Sequence, residues 1–317
     1  MAEYGSRELK RGDQGEDVEE LQIRLAGFNG GVPDGDFGPG SEKMVRQFQA
    51  DFMSIDSTGI VDEDTYKAID DFADKYPIDF DNPDMKCPCG VCDGYGQGLR
   101  KNEYRQGKPL IEAYYNYEYP GIHRMILWAA RAVFFYFPDY NFTFNSGYRC
   151  SVRNEQKGRQ STNHHGKAID LDVPRTDSEN REDDVKRCDE IRNKIVEKCN
   201  GQIGWAIKNK KALEPANIAP TWVHYDVRCF SRDYLEDRFF CKTLKDLDKR
   251  VTITLGQKEI EPEEIKEPKP LDTYLVEEGG KNLPGDANKK EGTSTGGIVS
   301  IIFTIINAIL SMFSKKK

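Results

Sequence analysis

Val18, Leu21, Ile23 and Leu25 share one side of a helix over residues 17–25, after a turn at Gly12 and Gly15. Met44, Val45, Phe48 and Phe52 repeat the arrangement over residues 42–52. The dense turn signal Pro33-Asp34-Gly35-Asp36-Phe37-Gly38-Pro39 separates them, and a third helix is expected near Asp62, capped by Asp62 or Asp64. Further on, residues 125–137 form a strongly apolar helix stopped by Pro138. Residues 184–199 form an amphipathic one with Val185, Cys188, Ile191, Ile195 and Val196 on one side. Short strand-like runs cover residues 142–148, 168–173 and 222–227. Helices alternating with antiparallel-looking strands predict an α+β protein with a small antiparallel sheet.

A chain of 317 residues suggests two globular units at about 150 residues each. We read residues 1–75 as the first and 76–255 as the second, joined by an Asp- and Pro-rich bridge over 72–84. Residues 256–297 turn to Glu, Lys, Pro and Gly, a composition that cannot offset its chain entropy by burial and is expected to be extended. Lys and Arg number 46 against 54 Asp and Glu, a net charge of −8 without a basic arm, which argues against nucleic acid as the main partner. Apolar content of 37% excludes a polytopic membrane protein, and the N-terminal residues lack the apolar run of a secretory signal. Eight cysteines are too few for a disulfide scaffold, so synthesis in a reducing compartment is expected.

The first segment resembles the three-helix peptidoglycan-binding domain of bacterial cell-wall proteins. The pattern is carried by Leu9, Gly12, Gly15, Val18, Leu21-Gln22, Leu25, Asp34-Gly35-Asp36-Phe37-Gly38, Val45, Phe48-Gln49, Gly59 and Thr65. The resemblance implies binding to wall glycan or stem peptide, not catalysis, with Asp34, Asp36, Phe37 and Gln49 as the binding residues.

Chemistry concentrates in the second segment. Three of the four histidines lie in two strand-associated stretches rich in acids, Ser161-Thr-Asn-His164-His165-Gly166-Lys-Ala168-Ile-Asp170-Leu-Asp172 and Thr221-Trp222-Val-His224-Tyr-Asp226-Val-Arg228. Two imidazoles and a carboxylate form the three-ligand set of a catalytic zinc, with one position left open. Residues two apart on a strand share a face, so Asp170 groups with Ala168 and Asp172, and His224 with Trp222, Asp226 and Arg228. Two facing strands can therefore converge on one metal.

These stretches resemble the zinc peptidase family of D-alanyl-D-alanine carboxypeptidases and phage L-alanyl-D-glutamate endopeptidases, to which the Hedgehog signalling domain is distantly related. The resemblance covers roughly residues 78–255. It runs in order through Cys87-Pro-Cys89-Gly90-Val-Cys92, Ser146-Gly147-Tyr148-Arg149, Asn154, the His-Gly-Ala-Asp stretch and Trp222-Val-His224-Tyr-Asp226. It implies a zinc ion (Zn2+) on His164 or His165, Asp170 and His224. The family spacing places the first histidine where Asn163 stands, and a one-residue deletion makes His164 the ligand. It further implies that Arg149 binds a substrate carboxylate or steadies the developing oxyanion. Several relatives carry an acid three positions before the last histidine, a place taken here by Thr221. Asp226, on the His224 face, is then the candidate general base or an orienting partner of a ligand, with Asp172 a less suitable one. Trp222 lines the site or packs in the core.

Cys87, Cys89 and Cys92 are read as packing thiols or a disulfide in preference to a structural zinc completed by Cys150 or another thiol. Cys188, Cys199, Cys229 and Cys241 are read as small buried hydrophobes. Residues 298–313 carry no charge, but 16 residues at about 1.5 Å each reach only about 24 Å, short of the roughly 30 Å hydrocarbon core. Ser300, Thr304, Asn307, Ser311 and Ser314 would form a narrow polar stripe on that helix, ahead of three lysines. Contact with a bacterial membrane is expected of this tail, with docking to a phage tail protein as the alternative. The reading is a zinc-dependent peptidoglycan peptidase, with an L-alanyl-D-glutamate endopeptidase favoured over a carboxypeptidase. It acts at the bacterial wall from a phage virion or the host cytoplasm. The competing reading is a non-catalytic wall-binding or tail structural protein.

Overall fold

The computed structural model describes residues 2–107, 114–204 and 209–255. The linker and apolar tail read over 256–297 and 298–317 lie outside these residues. Helix α1 (Glu16–Arg24) and helix α2 (Pro39–Phe48) form where the apolar spacing places them, α2 with proline in its first turn after Gly38. The expected end of the second helix, past Phe48, is a single π-helical turn over Gln49–Met53. Helix α3 (Glu63–Lys75) is capped by Asp62, whose carboxylate accepts from the Thr65 N–H at 2.9 Å.

Two buried glutamines pin the turns between these helices. Gln22 Oε1 accepts from the Gly35 N–H at 2.9 Å while its Nε2 donates to Asp34 Oδ1 at 2.7 Å and to the Asp36 carbonyl at 3.1 Å. Gln49 repeats the device: Oε1 accepts from the Gly59 N–H at 2.9 Å, and Nε2 donates to the Ile60 carbonyl at 2.9 Å and Thr58 Oγ1 at 3.0 Å. The Leu-Gln and Phe-Gln pairs of the sequence thus each place one apolar residue in the core and one amide under a turn. Phe37 and Gln49 are each 1% exposed, so of the four residues expected to meet the wall polymer these two serve the core. Asp34 is exposed and Asp36 half-buried.

The helical segment is not a bead on a string. Ile78 and Phe80 of the expected bridge are buried. Phe28 packs on Phe48 and Phe72, and Phe72 on Trp128 of helix α4 (Arg124–Tyr136). Gly27 lies so close to α4 that a β-carbon there would fall 2.1 Å from that of Ala132. The Glu20 carboxylate accepts from both terminal nitrogens of Arg124 at 2.7 and 2.6 Å and from Arg24 Nε at 2.8 Å. The described residues accordingly fall in one compact unit. Helix α4 is apolar nearly all round and buried from Arg124 to Val133, as such a helix must be.

The rest of the unit holds helices α5 (Ser151–Gln156), α6 (Arg181–Lys198) and α7 (Leu244–Asp248) and two sheets. Strand β1 (Ile122–His123) pairs antiparallel with β7 (Phe240–Cys241). The larger sheet has the order β2 (Thr143–Ser146), β3 (Ala168–Asp172), β6 (Val223–Asp226), β5 (Lys211–Leu213), β4 (Gly201–Ile203). Its pairs are antiparallel except β4 with β5. The expected strands β2, β3 and β6 form the site-bearing half. Strands β4 and β5 are three residues each, too short to carry an alternation.

On α6 the sequence places Val196 on the buried face, whereas it is 41% exposed and Arg192 is buried instead. Arg192 donates to the Glu214 carbonyl at 3.1 Å and the Trp222 carbonyl at 2.6 Å, satisfying backbone acceptors that flank β5 and β6.

Candidate metal centre

Register alone brings two of the expected ligands together. On the antiparallel β3–β6 pair, Asp170 stands directly opposite His224, and opposite residues present side chains on the same face. His224 Nδ1 lies 2.7 Å from Asp170 Oδ1, and His164 Nε2 lies 3.3 Å from Asp170 Oδ2.

His164 comes from the loop before β3, which the chain builds with two tight turns: His165 N–H to the Thr162 carbonyl at 3.1 Å and Lys167 N–H to the Asn163 carbonyl at 2.8 Å. Gly166 is required there, because a β-carbon would lie 2.3 Å from the Gly121 carbonyl oxygen. The loop rests on the strip after β2: the Arg149 N–H donates to the His164 carbonyl at 2.8 Å, and His164 Nδ1 meets the Gly147 carbonyl at 2.6 Å. That contact fixes the proton on Nδ1 and leaves Nε2 with a free lone pair towards Asp170.

His165 goes elsewhere. Its Nδ1 meets the Asn116 carbonyl at 2.9 Å and its Nε2 accepts from Asn154 Nδ2 at 3.1 Å. Between the two histidines left open by the sequence, His164 is the one that faces Asp170 and His224. Asn154 holds the loop, donating also to the Ser161 carbonyl at 2.7 Å.

The donor atoms of His164, Asp170 and His224 lie within 4.8 Å of one another, and all three residues are buried. Two imidazoles and a carboxylate suit zinc by ligand type. The remaining polar atom of each ring is engaged, as expected of metal-bound histidine: His164 Nδ1 on Gly147, and His224 Nε2 at 2.7 Å from Asp226 Oδ2. Asp226 is wholly buried, and its oxygens also accept from Arg228, at 2.6 Å from Nε and 2.8 Å from the backbone N–H.

Charges follow from this packing. Burial opposes the charge on His224, but hydrogen bonds to Asp170 and Asp226 outweigh it and push the metal-free imidazole up to about 10. Burial likewise works against Asp170, and its interactions with His164 and His224 overcome it, holding the carboxylate well below its usual range. Burial keeps His164 neutral by lowering its pKa, with Asp170 opposing. A metal must therefore displace one proton, from His224. Near neutral pH, zinc uptake is expected to release about one proton per ion, and affinity to rise about tenfold per pH unit, falling on acidification. Calorimetric titrations in buffers of different ionisation heat measure that proton; equal heats in all buffers would contradict it.

The other expected residues separate by position. Arg149 is half-buried beside Asp170 and Trp222 in a cleft of about 450 Å³, shared with Lys86, Arg153, Lys157 and Arg159. Its Nε is buried without a hydrogen-bond partner. Burial lowers its pKa while Asp170 raises it. Asp172 lies at the far end of β3, where its carboxylate accepts from the Val173 N–H at 2.8 Å, away from the histidines.

One residue escaped the sequence reading. Glu214 follows β5, beside His224 across the sheet: its N–H donates to the His224 carbonyl at 3.3 Å and its Oε1 lies 3.9 Å from His224 Nε2. Its carboxylate is 16% exposed and takes one long bond, 3.4 Å, from Arg228 Nη2. Only the pairing of β5 with β6 places it there, and no spacing in the sequence signals it.

The comparison with known families bears on the other end of the chain. Residues 14–69 match the family model of the peptidoglycan-binding domain. The match runs from the turn before α1 into α3, and peptidoglycan is thereby supported as a partner, with cell-wall association. No curated protein matches the chain. Among the described residues no helix is long and apolar enough to cross a membrane.

Proposed function

We propose that the segment over residues 76–255 is a zinc-dependent peptidase that cuts the stem peptide of peptidoglycan, as an L-alanyl-D-glutamate endopeptidase in preference to a carboxypeptidase. The observation that carries the reading is the meeting of His164, Asp170 and His224 beside Arg149, whose Nε is buried without a partner, in the same compact unit as a peptidoglycan-binding domain. Zinc in such a site supplies Lewis-acid polarisation of a carbonyl and acidifies water.

The chain's own residues do the rest. Arg149 offers its free donor to the substrate oxygen that gains charge. Lys86, Arg153, Lys157 and Arg159 make the cleft cationic and suit the carboxylates of a stem peptide. Asp226 is fully committed to His224 and Arg228, so it orients His224; we assign the proton transfer to Glu214, the neighbouring carboxylate 3.9 Å from His224 Nε2. The peptidoglycan-binding domain raises the local concentration of an insoluble substrate. The setting that fits is a phage lysin, carried in the virion or made in the host cytoplasm. Its C-terminal tail would meet the membrane or a tail protein. Thr221, standing where relatives carry an acid, favours the competing reading of a wall-binding structural protein that keeps the metal without turnover.

Purified sacculi treated with the zinc-loaded protein are expected to gain free amines. Glu214→Gln is expected to lower kcat by about 10² to 10⁴ with zinc retained. Asp226→Asn is expected to weaken zinc binding by about 10- to 100-fold. The opposite pattern would make Asp226 the base, and no amines from the unaltered protein would favour the structural reading.

A further inference from the structure

We infer that Cys87, Cys89, Cys92 and Cys150 hold a second zinc ion as a tetrathiolate, clamping the loop over residues 84–94 onto the strip that carries Arg149 and orients His164. The inference goes beyond the peptidase reading and does not depend on it.

The four sulfurs come from two distant stretches and form one cluster, all within 4.8 Å of one another. Cys87 and Cys150 are 3.5 Å apart, and Cys89 and Cys92 are 3.4 Å apart. Four thiolates at about 2.3 Å around a tetrahedral zinc stand about 3.8 Å from each other. A disulfide needs about 2.05 Å and joins sulfurs in pairs; here all eight cysteines of the chain are free.

Packing thiols do not explain the backbone around them. The N–H groups of Val91 and Cys92 both point at Cys89 Sγ at 3.3 Å, that of Cys150 at Cys87 Sγ at 3.3 Å, and that of Arg153 at Cys150 Sγ at 3.5 Å. Donors converging on sulfur favour the thiolate, as in the outer shell of a metal site. Cys89-Gly-Val-Cys92 has the C-x2-C spacing of a zinc knuckle, and the loop is closed by the Cys87 N–H on the Gly94 carbonyl at 2.8 Å. Four thiolates on zinc leave two negative charges, and Lys86, Arg149 and Arg153 adjoin the cluster in sequence. With four protein ligands the site has no vacancy, which makes it structural.

Its position gives it a consequence. The Gly147 N–H donates to the Asp84 carbonyl at 2.7 Å and the Tyr148 N–H to the Met85 carbonyl at 3.0 Å, so the loop pairs with the strip after β2. A β-carbon at Gly147 would lie 2.5 Å from the Met85 carbonyl oxygen, which shows how closely the two run. The same Gly147 presents its carbonyl to His164, and the next residue but one is Arg149. Thiols thus fasten one side of the strip whose other side sets the candidate metal centre.

The test is metal content and coordination of the full chain, purified in reductant with zinc. The unaltered protein is expected to hold two zinc ions, and His224→Ala one. The zinc of His224→Ala should have four sulfur neighbours at about 2.3 Å by X-ray absorption, and cobalt in its place should show thiolate charge-transfer bands. Cys89→Ser with Cys92→Ser should lose those bands and one ion. The His224→Ala measurement stands if the cysteine variant fails to fold. Loss of all zinc in His224→Ala, a shell without sulfur, or an intact mass short of the hydrogens of a disulfide would each overturn the inference. A single all-sulfur zinc in the unaltered protein would uphold it and overturn the peptidase reading instead.

Discussion

His224→Ala is expected to bring amine release from sacculi down to the level of protein-free buffer while sedimentation with the sacculi persists. The substitution removes one of three ligands, leaving His164 and Asp170 as a two-donor set. It also strands Asp226 and Asp170, both of which lean on that imidazole at 2.7 Å. Loss of a partner outside the ligand set already costs roughly 10- to 100-fold in affinity or activity, so loss of the ligand itself must exceed that. Wall binding should survive, because residues 14–69 contribute nothing to the centre and their turns are held by Gln22 and Gln49. Activity that persists in His224→Ala would remove this centre from the chemistry.

The second large effect belongs to Arg149. A buried donor without a partner costs about 1–3 kcal/mol in a folded protein, and Arg149 Nε carries that cost in a cleft it shares with Asp170. Such a donor is a positioned group waiting for an acceptor. Arg149→Met is expected to lower kcat on the order of 10² to 10³-fold, the usual effect of deleting one donor to a developing oxyanion. Zinc content and wall binding should be unchanged, and Tm unchanged or slightly higher, since an unsatisfied group is removed. Arg149→Lys should recover only part of the rate, because a point charge does not reproduce the planar fork. A large fall in Tm with kcat intact would assign Arg149 to structure.

Periodicity made much of the fold legible. The apolar spacing of residues 17–25, 42–52 and 125–137 gives α1, α2 and α4, and Asp62 caps α3 as its side chain chemistry suggests. It failed on α6, where Arg192 displaces Val196 from the buried face: carbonyl acceptors around β5 and β6 needed donors, a tertiary demand that hydropathy does not record. Asp170 and His224 were legible as partners because strand alternation puts each on a defined face and only register was missing. Glu214 was not, since β5 is too short to announce itself. Phe37 and Gln49 show the opposite difficulty: a family pattern marks residues that keep the fold as strongly as those that meet the ligand, and burial tells them apart. For the cysteines the sequence leaves packing, disulfide and metal all open, Cys150 included, because the N–H groups that converge on the sulfurs belong to the folded backbone.

Anomalous diffraction at the zinc edge from crystals of the zinc-loaded full chain tests the central claim most directly. The account predicts a peak about 2.0–2.2 Å from one nitrogen each of His164 and His224 and one oxygen of Asp170. No peak among these three residues, with zinc present elsewhere in the same crystal, would contradict it.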